Sequence, residues 1–161
     1  MKEVVYRPIG VIHTPFKSPE NMPIQPSGGR DIEGTIEVDP EFEEALSDLD
    51  GFSHLILIYH FHLARSYVLK VRPFLDTAKR GLFATRAPRR PNPIGVSVVR
   101  LNRIEGNILH ICDVDMVDGT PLLDVKPCVG EFDRCGRMRI GWLEGKADKA
   151  RGKRSDERFR K

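Results

Sequence analysis

The chain has 161 residues, 40% of them hydrophobic and 30% charged, and a formal net charge of +3, so we expect one domain with its own core. Its three cysteines form no C-x-x-C pair, which disfavours a disulfide framework and a four-thiolate zinc site. Neither an apolar run of about 18 residues nor the apolar stretch of a signal peptide is present, so we expect a cytoplasmic protein that is not bound to a membrane.

The first third of the chain predicts two strands, one loop and one helix. Tyr6 to Thr14 and Gly34 to Val38 have the patterns of strands. Between them, residues 15–30 contain four prolines and two glycines, which predicts a long irregular loop around Gln25 and Pro26. Residues 39–51 begin with Asp-Pro-Glu and end with glycine, which is typical of a short helix.

The run from Ser53 to Phe61 predicts a strand with two apolar faces. One face would carry His54, Ile56, Ile58 and His60, and the other would carry Leu55, Leu57, Tyr59 and Phe61. Because both faces are largely apolar, we expect this strand to be buried or to lie at an interface.

The later part of the chain predicts a hairpin and a closing strand. Gly95 to Ile104 and Ile108 to Val114 flank a Glu-Gly-Asn turn, and Arg137 to Trp142 is expected to close the sheet. Short antiparallel strands with few helices favour a mainly β fold, a small antiparallel barrel, because closure removes exposed sheet edges. We expect this barrel domain over residues 1–144 and a basic C-terminal tail over residues 145–161.

Several common site motifs are missing from the sequence. It has neither G-x-G-x-x-G after a strand nor G-x-x-x-x-G-K-[ST], so we expect neither a Rossmann nor a P-loop site. His60 and His62 would share one face of a strand and could bind a metal. The sequence offers no evident third ligand, so we expect no metal site.

A proline-rich arginine loop is the most unusual segment. Residues 81–95 hold three prolines beside Arg86, Arg89, Arg90 and Asn92. Proline reduces the conformational entropy lost on ordering, and rigidly held guanidinium groups recognise carboxylate or phosphate in a bidentate manner. The pattern therefore favours an anion-binding loop, although arginines that pair with acids in a turn remain an alternative.

An acidic segment with a tight turn follows over residues 113–127. The Asp118-Gly-Thr-Pro turn would expose backbone amides and carbonyls that could hold an adenine edge or ribose hydroxyls. Turn and cap roles for these carboxylates are an equally good interpretation.

Positive charge is concentrated in two places. Between Thr77 and Ile104 there are seven basic residues and no acidic one, and residues 145–161 hold eight basic and three acidic residues. Clustered positive charge of this kind suits a nucleic acid. For the tail, a solvated and disordered end is the alternative.

Together these passages resemble the tRNA threonylcarbamoyladenosine N6-methyltransferase family, the TrmO or TsaA-like proteins. The matching motifs keep their order over roughly residues 7–130: Ile9-Gly-Val-Ile-His-Thr-Pro-Phe16, Leu49-Asp-Gly-Phe-Ser-His54, Val71-Arg-Pro73, Phe83-Ala-Thr-Arg86, Arg90-Pro-Asn-Pro-Ile-Gly95, Val117-Asp-Gly-Thr-Pro121 and Asp124-Val-Lys-Pro127. Longer members carry a further C-terminal domain, whereas this chain ends in a basic segment soon after the predicted barrel.

The resemblance implies a β-barrel methyltransferase that binds S-adenosylmethionine near a homodimer interface and acts on tRNA. It implies cofactor contacts at Gln25, Pro26, His62, Arg86, Val96, Met116, Val117, Asp118 and Gly119. We expect substrate or tRNA contacts at Arg89, Arg90, Asn92 and Lys126.

The catalytic base and the exact activity stay open at this stage. Candidates for the base are His54, His60, Asp115 and Asp118, and a water molecule could also serve. A non-catalytic RNA-binding barrel and a methyltransferase of the same fold with another substrate are the alternative functions.

Overall fold

A computed structural model describes residues 3–134, 136 and 138–156, and it contains eight strands and one short α-helix. The strands are β1 (Gly10–His13), β2 (Glu33–Val38), β3 (His54–His60), β4 (Lys70–Val71), β5 (Arg80–Gly81), β6 (Ile94–Glu105), β7 (Ile108–Cys112) and β8 (Thr120–Pro127). Helix α1 spans Gly130–Asp133. The 3-10 helices are Pro26–Gly28, Pro40–Leu46, Leu49–Gly51, Leu82–Ala84, Gly141–Leu143 and Ala147–Gly152.

Six of the strands close into a barrel in the order β1-β2-β7-β6-β3-β8, and β4 and β5 form a separate two-stranded ribbon. Every neighbouring pair in the barrel is antiparallel. The prediction of a mainly β, small antiparallel barrel is therefore confirmed. Within the described part of the chain, no helix is long and apolar enough to cross a membrane.

Strand β3 shows how the sequence pattern builds the core. Its inward side chains Leu55, Leu57 and Tyr59 are at most 5% exposed, whereas the alternate side chains face outward from the barrel. Burial of each large aliphatic side chain contributes about 1.5–3 kcal/mol. The rest of the core comes from the inward positions of the other strands and the β7–β8 loop: Ile12, Ile36, Val38, Val99, Leu101, Leu109, Ile111, Val114, Met116 and Leu122.

The antiparallel order places three long loops at the same end of the barrel. Residues 14–32 connect β1 to β2, residues 61–93 connect β3 to β6, and residues 113–119 connect β7 to β8. All three leave from the end of the barrel where β6 begins, because neighbouring strands run in opposite directions. We call this end the barrel mouth.

Some predicted elements differ in detail from the structure. The helix expected over residues 39–51 is two 3-10 helices, and the Asp39 side chain makes no capping hydrogen bond. The first strand is limited to Gly10–His13. The prediction of a closing strand from Arg137 to Trp142 is wrong: residues 138–142 form no strand, and Arg137 lies outside the described residues.

The C-terminal segment is attached to the first mouth loop. The Ser155 amide donates to the Met22 carbonyl at 2.9 Å, and the Met22 amide donates to Ser155 Oγ at 3.0 Å. Arg154 Nη1 donates to the Gly28 carbonyl at 3.0 Å. Residues 147–156 therefore lie against the loop that contains Gln25 and Pro26.

Candidate active site

The arginine loop and the first mouth loop meet through Arg86. The exposed Arg86 guanidinium donates from Nη1 to Gln25 Oε1 at 3.1 Å. The backbone around Arg86 is fixed from its own loop, because Thr85 Oγ1 donates to the Leu82 carbonyl and accepts from the Ala87 amide. Two residues from separate parts of the sequence thus form one polar surface at the mouth.

A chain of hydroxyl groups connects the barrel interior to the β7–β8 loop. Tyr59 on β3 and Ser97 on β6 face inward, and their hydroxyl oxygens lie 3.0 Å apart. Ser97 Oγ donates to Asp115 Oδ1 at 2.7 Å. Because the Ser97 proton is used on the carboxylate, Tyr59 is the donor in its bond to Ser97. Both protons therefore point toward Asp115.

The partly buried position of Asp115 beside Ser97 and Tyr59 changes the pKa of its carboxyl group. Burial raises the pKa of Asp115 to about 6, although the Ser97 hydrogen bond and the Arg86 charge both lower it. Burial, followed by the charge of Asp115, raises the pKa of Tyr59 well above its usual range, so the phenol keeps its proton. We call Gln25, Tyr59, Arg86, Ser97 and Asp115 the mouth cluster.

Several contacts hold the β7–β8 loop in place beside the first mouth loop. Thr14 Oγ1 donates to the Met116 carbonyl at 2.8 Å, and the Thr14 amide donates to Asp118 Oδ1 at 3.0 Å. Lys17 Nζ lies 2.6 Å from Asp118 Oδ2. The hydrogen bonds from Lys17 and then Thr14 lower the pKa of Asp118, so this carboxylate is a charged structural tie.

Gly29 allows the same two loops to approach closely. A Cβ atom at this position would collide with the Val114 carbonyl oxygen, which directly precedes Asp115. A residue with a side chain would therefore push the β7–β8 loop away from the first mouth loop.

The other two arginines of the proline-rich loop are used within the chain. Arg90 Nη1 donates to the Thr85 carbonyl at 2.9 Å and to the Ala87 carbonyl at 3.3 Å, and its guanidinium lies over the Phe83 ring. Arg89 Nη2 donates to Ser66 Oγ at 2.8 Å, while its Nε is buried without a hydrogen-bond partner. Arg90 thus shapes the loop, and Arg89 retains unused donor capacity.

The remaining predicted residues divide between the mouth and other positions. His62 lies just beyond β3, and burial, followed by the charge of His60, lowers its pKa. Asn92 is exposed in the mouth loop, and Val96 lies on the outer face of β6 with 52% exposure. Lys126 is not brought to the cluster: it lies opposite Ile56, nearer the far end of the barrel, and pairs with Asp124 at 2.7 Å.

An open cleft of about 300 Å³ lies beside the mouth. Its lining residues come from the first mouth loop, β6, the β7–β8 loop and the C-terminal segment: Pro26, Ser27, Arg30, Val98, Asp113 and Arg151. This volume is at the lower end of the range for small-molecule sites.

Sequence reasoning missed three contributors to the site. Tyr59 and Ser97 are inward-facing strand residues, and their pairing with Asp115 depends on the strand register and on the path of a loop. Trp142, expected in a strand, donates from Nε1 to the Ala84 carbonyl at 2.8 Å and holds the arginine loop. No local pattern indicates this contact, because the acceptor is a backbone carbonyl far away in the sequence.

Comparison with known proteins gives one family and several similar chains. Residues 11–134 match the model of the tRNA-methyltransferase O N-terminal domain. A probable S-adenosyl-L-methionine-binding protein of Pyrococcus abyssi is 60% identical over 156 residues, which cover 97% of this chain and 85% of that protein.

Two further matches are to longer proteins. The tRNA (adenine(37)-N6)-methyltransferase of Mus musculus is 36% identical over 133 residues, which cover 78% of this chain and 31% of that protein. The crystal structure of TrmO from Pseudomonas aeruginosa superimposes with a TM-score of 0.75 at 39% identity. The match covers 87% of this chain and 62% of that one.

Proposed function

The chain belongs to the tRNA-methyltransferase O family, and we propose that it transfers a methyl group from S-adenosylmethionine to N6 of threonylcarbamoyladenosine at position 37 of tRNA. The observation that carries this proposal is the convergence of Gln25, Arg86 and Asp115 at the barrel mouth. Two relatives, one named for S-adenosyl-L-methionine binding and the other for methylation of a tRNA adenine, support this proposal. This substrate would place the activity in the cytoplasm.

The residues at the mouth fit the chemistry of S-adenosylmethionine. The exposed Arg86 guanidinium can pair with a carboxylate, and the Gln25 amide beside it can bond a second polar group. The cleft next to Pro26 offers space. The carbonyls of Met116 and Val117 and the amides of Asp118 and Gly119 already bond other parts of the chain, so they hold the β7–β8 loop in place. When bound, the cofactor supplies an electrophilic methyl group, and fixed residues of the chain align the acceptor nitrogen with it.

The direct test is methylation of bulk tRNA by the purified chain with S-adenosylmethionine, followed by nucleoside mass spectrometry. A mass increase of one methyl group on threonylcarbamoyladenosine supports the proposal. Methylation of a different nucleoside would identify a methyltransferase with another substrate.

Replacement of Arg86 by alanine is expected to weaken S-adenosylmethionine binding roughly 10- to 100-fold, because one charge-assisted hydrogen bond is worth about 1.5–3 kcal/mol. Isothermal titration calorimetry measures this change. Lys126→Ala serves as the control, since Lys126 lies nearer the far end of the barrel and pairs with Asp124. Unchanged affinity of Arg86→Ala would remove Arg86 from the site, and a wild-type chain without affinity would favour an RNA-binding barrel.

We also propose that the C-terminal basic segment contacts tRNA phosphates. The 3-10 helix Ala147–Gly152 carries Lys149 and Arg151 and lies against the 3-10 helix Pro26–Gly28. Positive charge is therefore fixed next to the proposed cofactor cleft. Phosphate contacts from lysine and arginine are the main source of sequence-independent affinity for nucleic acids.

Homodimer formation is the last part of this proposal. The outer face of β6 exposes Ile94, Val96 and Val98 by 37%, 52% and 40%. Ile56 and Ile58 of β3 lie beside Val98 and Val96 and extend the same apolar face. A second copy of the chain would cover this surface and remove it from water.

Static light scattering is expected to give about twice the chain mass of 18.3 kDa for the wild type at micromolar concentration. Val98→Glu should yield a monomer, because a two-fold interface would bury two unpaired carboxylates. Phe132→Glu is the matched control, since Phe132 is an apolar side chain that is 83% exposed on helix α1 and does not belong to β3 or β6. A wild-type monomer, or a Val98→Glu dimer, would contradict this interface.

A further inference from the structure

Three properties of Asp115 suit the role of a base. It belongs to the mouth cluster, it is partly buried, and its Oδ1 is oriented by Ser97. Among the described side chains, none donates a hydrogen bond to its Oδ2. Ser97 therefore holds one carboxylate oxygen, and the other has no side-chain donor among the described residues.

The alternative bases are placed differently. His54 begins β3 at the end opposite the mouth and contacts Ser53 Oγ through Nδ1. His60 belongs to the outward face of β3. Asp118 is held in its charged form by Lys17 and Thr14, which makes it a weak proton acceptor.

The surroundings of Asp115 suit a group that takes up a proton near neutral pH. Tyr59 donates to Ser97, and Ser97 donates to the carboxylate of Asp115. These hydrogen bonds fix the rotamer of Asp115 and stabilise its charged form. The charged and titratable groups that face it are Arg86 from the arginine loop and Tyr59 from β3. A carboxylate whose pKa is about 6 is a stronger base than an ordinary aspartate and is still mostly ionised at pH 7.

We propose that Asp115 Oδ2 accepts the N6 proton of the acceptor adenosine, with Ser97 and Tyr59 as positioning residues; this assignment rests on the methyltransferase function proposed above. In the transfer, the N6 lone pair forms the bond to the methyl carbon, the carbon–sulfur electron pair stays on sulfur, and the proton passes to Asp115. Charge balances because the sulfonium and the carboxylate are both neutralised.

The first experiment compares kcat/KM on bulk tRNA for the full-length wild type and Asp115→Asn. Loss of a general base is expected to lower kcat/KM about 10²- to 10⁴-fold. Asp39→Asn is the matched control, because Asp39 is exposed at the opposite end and its side chain makes no cap bond. The melting temperature of Asp115→Asn at pH 8 should be no lower than that of the wild type, because a raised carboxyl pKa means that burying the ionised form destabilises the fold above that pKa.

The second experiment uses pH and separates a base from a structural residue. The wild-type kcat/KM should decrease below about pH 6, as Asp115 becomes protonated, and this acidic limb should be missing in Asp115→Asn. Ser97→Ala should move the limb to higher pH, because the lost hydrogen bond favoured the ionised form. NMR titration of the Asp115 carboxyl carbon in the ligand-free protein should show the same upward shift.

Two results would overturn the assignment and leave the methyltransferase function standing: wild-type kcat/KM in Asp115→Asn, or an acidic limb that persists in that variant. If Ser97→Ala leaves the pKa of Asp115 unchanged in the NMR titration, Ser97 is not a positioning residue, and that role is overturned. A wild-type chain that methylates no tRNA would overturn the proposed function and this assignment together.

Discussion

A tRNA without the threonylcarbamoyl group is expected to be methylated about 10²- to 10³-fold more slowly than the same tRNA that carries it. The group adds a carboxylate and a urea to the adenine. Arg89 presents a guanidinium group in the mouth loop that can pair with the carboxylate, and the exposed Asn92 amide can bond the urea. Plain adenosine would leave these donors without a partner from the substrate.

The size of this discrimination depends on how far the groups that recognise the modification are exposed to water. Sites that bury a polar group can reject an analogue lacking its partner by as much as ~10⁴–10⁵. Asn92 is exposed and Arg89 is half-buried, so water would satisfy part of their hydrogen bonding when the ligand group is missing. The expected ratio is therefore smaller than in a sealed site.

The contacts within the mouth loop favour Arg89 over Arg90 for the threonyl carboxylate. Arg90 uses Nη1 on two carbonyl groups of its own loop, whereas the described side-chain bond of Arg89 is a single one, from Nη2 to the Ser66 hydroxyl. Arg89→Ala should reduce the ratio of the methylation rates of modified and unmodified tRNA. Arg86→Ala should mainly weaken cofactor binding.

The measurement is the initial methylation rate of one tRNA prepared with and without the modification, at limiting enzyme. Equal rates would disprove the substrate assignment and leave a tRNA methyltransferase. Methylation of neither form, with cofactor bound, would point to another acceptor.

Sequence reasoning predicted the barrel because alternation is a local signal. In the run from Leu55 to Tyr59, every second side chain is buried, as the pattern indicates. The hairpin of β6 and β7 follows from two apolar runs and a turn in which Gly106 has φ of +58°. Turn residues and side-chain period together carry enough information for such elements.

Two predicted elements are wrong for reasons that their local patterns do not reveal. Residues 39–51 have helix boundary residues, yet they form two 3-10 helices, and Asp48 between them has a left-handed φ of 65° that interrupts helical geometry. Trp142 has strand-like neighbours, but its indole bonds the distant Ala84 carbonyl, and Gly141 has φ of +56°. These contacts determine the path of the C-terminal segment.

The sequence indicated part of the mouth cluster, and it did not indicate how the residues of the cluster are arranged. Motifs pointed to Gln25, Arg86 and the loop with Asp115, which lie on three separate loops. Their meeting depends on strand order, because the antiparallel barrel brings those loops to one end. The contribution of Tyr59 and Ser97 depends on register, since both are ordinary inward positions in their strands.

Replacement of Gly95 by alanine is expected to destabilise the fold by about 3 kcal/mol, the upper part of the usual range for overpacking a core. Gly95 lies opposite Tyr59 in the pairing of β6 with β3. A Cβ atom there would collide with Tyr59 Cε2, and it would lie 2.5 Å from Tyr59 Cζ and 2.9 Å from Phe61 Cζ. The two rings pack edge to face at 5.4 Å, so neither can move away without disturbing the other.

Thermal unfolding should show a decrease in melting temperature of about 6–12 °C for Gly95→Ala, since 1 kcal/mol corresponds to about 2–4 °C at this chain length. Displacement of the Tyr59 ring should also break its 3.0 Å contact with Ser97, so the carboxyl of Asp115 should lose part of its orientation. Gly51→Ala is the control, because a Cβ atom there would meet nothing within 4 Å.

A double-mutant cycle identifies the physical cause of this loss. If the collision with the ring is responsible, Tyr59→Leu should cost less stability in the Gly95→Ala background than in the wild type, because removal of the ring relieves the overlap. Strictly additive effects would show that Gly95 acts through backbone conformation instead. A melting temperature of Gly95→Ala equal to that of the wild type would mean that β3 and β6 are farther apart at the mouth, and the link from Tyr59 through Ser97 to Asp115 would then be lost as well.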